Sequence, residues 1–202
     1  DIKKVKEYLG TEIFEVSSKE KEDQVGVVTG LAYTSVGGEI LPIEVTYFEG
    51  KGGLVLTGNL GNVMKESATI ALSYVKANAS SLHIEEGFFD KHDIHVHVPE
   101  GAVPKDGPSA GIALTVAIVS CLTNRKVHSN VAMTGEVTLR GNALAIGGLK
   151  EKTLAAYKAG ITKVLIPREN SRNIQDLPEV VRKNINFVLL DNVEQALGHA
   201  LV

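Results

Sequence analysis

Pro104-Lys-Asp-Gly-Pro-Ser-Ala-Gly111, continuing through Ile112-Ala-Leu-Thr-Val-Ala-Ile-Val-Ser-Cys-Leu122, is the stretch on which the reading of this chain turns. Its first part is turn-forming, with proline and glycine on the near side of Ser109. Its second part, Ala110 to Leu122, is apolar except for Thr115 and Ser120, which predicts a helix buried all round. The run is shorter than the ~20 residues a bilayer crossing needs, so it reads as a core helix. Ser109 therefore has two readings. It is a good helix N-cap, and it is also placed as a nucleophile, because N–H groups at a helix start have no intrahelical partner and can stabilise an oxyanion.

Working outward, the flanking segments define a mixed α+β fold in one domain. Upstream, Val25 to Thr29, Ile40 to Phe48 and Leu54 to Thr57 are β-branched runs broken at Gly37-Gly38 and Gly50 to Gly53, which predicts an antiparallel meander. Leu60, Val63, Met64, Ala68, Ala71, Leu72 and Val75 recur at helical spacing, with Asn59 as the expected cap. Asp93 to Val98 alternates as a strand. Downstream, strands at Val131 to Leu139, Ala143 to Ile146, Lys163 to Ile166 and Phe187 to Leu190 alternate with helices at Leu149 to Ala159 and Val193 to Leu201. Such alternation requires crossovers and a partly parallel sheet. Ser17 to Asp23 has the charged character of a linker, and the chain opens on Asp1 rather than Met, as a fragment of a longer protein would.

Composition narrows the chemistry. A net charge of −3 with scattered Lys and Arg gives no basic field for nucleic acid. The lone Cys121 cannot form an internal disulfide and falls in the apolar run, so it reads as a buried, inert thiol in a reducing compartment. No G-x-x-x-x-G-K-[ST] loop is present, which leaves no site for ATP hydrolysis in this chain. His95 and His97 share one face of a strand, but two ligands without a third do not make a metal site. Gly107-Pro-Ser-Ala-Gly111 matches the G-x-S-x-G elbow of serine esterases, with Asp191 and His199 following in order; an elbow serine must follow its strand directly, however, and here a loop of about ten residues with three prolines intervenes.

A second informative stretch is Gly147-Gly-Leu-Lys-Glu-Lys152. Lys152 shares a helix face with Leu149, Ala155 and Ala156, where burial and the positive end of the helix dipole both favour the neutral amine that general-base catalysis needs. The alternative is a solvated surface lysine, as expected for Lys150 and Lys158.

Taken in order, Pro104 to Gly111, Met133-Thr-Gly-Glu-Val-Thr-Leu-Arg-Gly141 and Gly147 to Lys152 closely resemble the proteolytic domain of bacterial-type Lon protease. The likeness extends through Gly30-Leu-Ala-Tyr-Thr, Thr57-Gly-Asn-Leu-Gly61, His95-Val-His-Val-Pro-Glu-Gly101 and Val164-Leu-Ile-Pro167. This resemblance implies the Lon protease-domain fold and a Ser-Lys dyad, Ser109 as nucleophile and Lys152 as base. Thr134 would orient the amine, and Asp106 and Gly107 would shape the loop before the nucleophile. It further implies that residues 1–14 are the end of a preceding ATPase module and 15–202 the proteolytic domain. The expected context is a homo-hexamer in the bacterial cytoplasm that threads unfolded polypeptides, with ATP and Mg bound outside this chain. Tyr33 stands where tryptophan is frequent in that family. The rival readings are an elbow-type esterase and a non-catalytic assembly domain.

Overall fold

The structure, a computed structural model, describes residues 22–34 and 37–202; the linker stretch before Glu22 and the expected ATPase remnant at 1–14 lie outside the described residues. In chain order the strands are β1 (Gln24–Val25), β2 (Val27–Thr34), β3 (Gly37–Glu49), β4 (Leu54–Thr57), β5 (His92–His97), β6 (Lys126–Val127), β7 (Val131–Met133), β8 (Glu136–Val137), β9 (Ala143–Leu144), β10 (Lys163–Pro167) and β11 (Asn186–Leu190). The helices are α1 (Asn62–Ala77), α2 (Phe88–Lys91), α3 (Gly111–Thr123), α4 (Leu149–Lys158), α5 (Glu179–Asn184) and α6 (Val193–Ala200). A seven-stranded mixed sheet in the order β11-β10-β7-β2-β3-β5-β4 forms the centre. Its β2, β3 and β5 are antiparallel neighbours, while β2-β7-β10-β11 run parallel.

Side-chain alternation assigns the two faces of this sheet. Leu41, Ile43, Val131, Met133 and Leu165 enter one core with α1, α3 and α6; Ile40, Ala132, Val164 and Ile166 enter a second core on the opposite face with α4 and α5. Both faces of the parallel half are thus buried, as crossover helices require. Helix α3 is buried at every position from Gly111 to Ser120.

Three local expectations are corrected. The N-terminal strands are not a simple meander, because β5 pairs with β3 and β4 lies outside it, parallel to β5. Asp93 accounts for the detour: its Oδ1 accepts from the backbone N–H groups of Lys51 and Gly53, folding the glycine loop over β5. Asn59 does not cap α1; it sits at φ 58°, and the N-cap is Gly61. The strand expected over Val131 to Leu139 breaks at Thr134-Gly135, where the backbone turns to the Ser109 loop: Gly135 N donates to Ser109 O at 2.8 Å, and Ile112 N donates to Gly135 O at 3.0 Å.

Candidate active site

Ser109 lies in a single 3-10 turn, Pro108–Ala110, that leads directly into α3. Gly107 precedes it at φ 120°, ψ 159°, a conformation that glycine adopts without steric cost. The hydroxyl caps neither the turn nor the helix. Its partner is Lys152 Nζ at 2.9 Å. Lys152 projects from the first turn of α4 and is only 1% exposed, the one buried lysine among the described residues. Ser109 itself is half-buried, leaving it open to one side.

Thr134 completes the triangle. Lys152 Nζ donates to its Oγ1 at 3.2 Å, and Oγ1 in turn donates to Ser109 O at 3.3 Å. Desolvation lowers the Lys152 pKa to about 8, because a buried ammonium gives up hydration that two hydroxyl groups replace only in part. The ring of Tyr33 covers the amine from outside, its centroid 5.7 Å from Nζ. Tyr33 is itself 55% exposed, so its outer face is free. Nothing in the local sequence of β2 marks this placement; only the sheet crossing brings Tyr33 over α4.

Asp106 and Gly107 lie beside the triangle rather than within it. Asp106 Oδ1 accepts from Met64 N and from Gly107 N, each at 2.9 Å, and these backbone bonds hold its carboxyl below the usual carboxylate range. It thereby supplies the N-terminal cap that α1 lacks from its own sequence, and Ser67 Oγ ties the same helix to Pro108 O at 3.3 Å. No local pattern signals this capping, since donor and acceptor are 42 residues apart along the chain.

The remaining candidates fall elsewhere. Asp191 is engaged by Arg168, Nε to Oδ1 at 2.6 Å, and His199 is exposed on α6; no hydrogen bond among the described residues joins either to Ser109. The elbow arrangement is therefore not assembled. Thr57 Oγ1 lies 2.9 Å from His95 Nε2 and 2.7 Å from His97 Nδ1, an arrangement that ties β4 to β5. Burial pushes the Cys121 thiol up to about 11, which leaves it protonated and unreactive at neutral pH.

Residues 1–202 match the family described as the Lon protease C-terminal proteolytic domain. The chain belongs to this family. It is 56% identical over 200 residues to Lon protease 1 of Bacillus subtilis, covering 99% of this chain and 26% of that protein. It is 61% identical over 190 residues to Lon protease of Mycoplasma mycoides subsp. mycoides SC, covering 94% of this chain and 24% of the relative. The chain thus spans about a quarter of the length of these curated relatives. As a member of the Lon proteolytic-domain family it is a serine peptidase domain with the mixed fold described above. No described helix is long and apolar enough to cross a membrane.

Proposed function

We propose that the chain is the endopeptidase part of an ATP-dependent protease, with Ser109 as nucleophile and Lys152 as general base. The observation that carries this reading is the 2.9 Å contact between Lys152 Nζ and Ser109 Oγ at a lysine buried to 1% exposure. A neutral amine at that distance accepts the Ser109 proton as Oγ attacks a peptide carbonyl. The Ser109 N–H, in the first turn before α3, is a suitable donor to the developing oxyanion. The resulting Lys152 ammonium protonates the leaving amine, giving the acyl-enzyme, and the same amine then activates the water that releases the product. Thr134 acts on orientation: by accepting one N–H of Lys152 it aims the lone pair at Ser109. Asp106 and Gly107 hold the nucleophile's loop.

In the full-length protein, unfolded or damaged polypeptides are the substrates, a homo-hexamer in the bacterial cytoplasm is the assembly, and ATP with Mg is bound by a separate ATPase module. Residues 1–14 would lead in from that module, and 15–202 form the proteolytic unit. Ser109→Ala and Lys152→Ala are each expected to abolish cleavage of an unstructured polypeptide, with far-UV and near-UV dichroism unchanged. Wild-type turnover in either variant defeats the dyad.

A further inference from the structure

The loop between β5 and the Ser109 turn closes around a single ammonium group. Lys105 Nζ lies 2.7 Å from Glu100 O, 3.1 Å from Val103 O, 3.2 Å from Gly58 O and 3.5 Å from Val98 O. An ammonium has three protons, so the most distant oxygen, Val98 O, shares one. These oxygens come from two separate segments, Gly58 following β4 and the others following β5. Aiming them inward takes unusual backbone. Gly58 sits at φ 112° with Val98 O only 2.1 Å from where a Cβ would be, and Glu100 sits at φ 63°. The backbone of Lys105 is held as well: its N–H donates to Asn59 O at 3.1 Å, and its carbonyl accepts from Gly61 N at 2.7 Å.

Lys105 forms no ion pair with a carboxylate among the described residues. Its charge is balanced by carbonyl dipoles, and desolvation is the leading influence on it, ahead of the fields of Glu100 and Glu39. Four carbonyl oxygens directed at one point repel one another without a cation between them. Such a ring of backbone oxygens is also the donor set by which proteins coordinate alkali cations. The next residue along, Asp106, reaches the other way to α1. Two adjacent side chains thus fasten opposite sides of the loop that delivers the serine.

We propose that Lys105 is a positioning residue for Ser109: its ammonium is the resident cation of a carbonyl cage that fixes the nucleophile's loop, and a free monovalent cation can occupy the cage when that ammonium is removed. This rests on Ser109 being the nucleophile. Neither feature of the cage, its four oxygens or the absence of a carboxylate ion pair to Lys105 among the described residues, involves the Lys152 site.

The test uses the 202-residue chain with Lys105→Ala and Lys105→Met, the latter keeping the aliphatic stem without the charge. Amide exchange over residues 98–107 and the rate of Ser109 acylation by an activated aryl ester are measured in potassium, ethylammonium and tetramethylammonium chloride at one ionic strength. Both variants are expected to exchange faster in this loop and to acylate on the order of tenfold to a hundredfold more slowly in tetramethylammonium, as a misplaced reactive group does. Potassium or ethylammonium should restore Lys105→Ala saturably and leave the wild type unchanged. Wild-type exchange and acylation in Lys105→Met, or a Lys105→Ala defect that neither small cation reverses, overturns the proposal. Should Lys105→Ala not fold, Lys105→Met decides by the same two measurements. A Ser109→Ala chain that still cleaves peptide would instead defeat the nucleophile assignment and leave the exchange result standing.

Discussion

The turns that present Ser109 and Lys152 are held in opposite ways. On the lysine side, backbone meets backbone: a Cβ at Gly38 would lie 1.9 Å from Glu151 O, so β3 runs directly against the first turn of α4. Gly148, at φ 68°, lies under the Tyr33 ring, whose Cδ1 would be 2.4 Å from an added Cβ. On the serine side, polar side chains reach outward, with Lys105 into its carbonyl cage, Asp106 to Met64 N and Ser67 Oγ to Pro108 O. Close contact leaves Lys152 one position. The position of Ser109 depends on a few hydrogen bonds that can be removed one at a time. Of the two partners, the serine is the adjustable one.

The strongest way to break the contrast is on the lysine side. Gly38→Ala inserts a methyl group against helix backbone, which cannot yield as a flexible side chain would, so a loss of about 3 kcal/mol in urea unfolding is expected. If the substitution is tolerated with full stability, α4 can slide and the base is not fixed by packing.

A smaller effect sharpens the contrast by testing the cost of burying the amine. The folded pKa of Lys152, about 8, lies below its ordinary 10.5. Between those values the unfolded chain binds more protons than the folded one, so this group makes stability rise with pH across the window and imposes its full cost below pH 8. Lys152→Met is therefore expected to be more stable than wild type at pH 6 by about 2 kcal/mol, after allowing for the two lost hydrogen bonds, and to lose the rise above pH 8. Equal stability of the two proteins at pH 6 would mean that the amine is not desolvated. On the proposed dyad, in which only the neutral amine takes the serine proton, the same titration is expected to give peptide cleavage a rising limb centred near pH 8. A rate flat from pH 6 to 9 would exclude Lys152 as a titrating base.

The smallest effect belongs to the serine side. Asp106→Ala should lower the melting temperature slightly and slow acylation of Ser109. Its folded carboxyl pKa is depressed, so the stability difference from wild type is present above the ordinary value of 3.8 and disappears as pH falls through the folded pKa. A difference that persists unchanged at acid pH would show that the carboxylate's bonds to Met64 and Gly107 are not its source.

The same contrast governs what the sequence made legible. Helix α3 was readable because a run apolar on every face can only be interior. The buried face of α4 that carries Lys152 was readable because Leu149 and Ala156, which define it, lie on the same helix. The position of β4 outside β5, the break of the strand at Thr134-Gly135 and the capping of α1 by Asp106 were not readable, because each is decided by a partner distant in the chain. Asn59 illustrates the error: a good cap by type, it takes a left-handed conformation, its carbonyl accepts from Lys105 N, and the helix begins after Gly61. Thr134 became visible as a site residue only through the family resemblance; its hydrogen bonds to Lys152 and to Ser109 O depend on β7 lying between β2 and β10.

The interrupted strand after β7 has a consequence for the protein's own synthesis. Thr134 N donates to Leu165 O and Gly135 N to Ser109 O, so the three hydroxyl and amine groups meet only when β7 and β10 are paired and α3 is seated beneath them. A chain released before β10, or one whose sheet has opened, holds Ser109, Thr134 and Lys152 without the contacts between them. On the proposed dyad, peptidase chemistry arrives with the completed sheet, and an unfinished copy does not attack the extended chains around it, its own included.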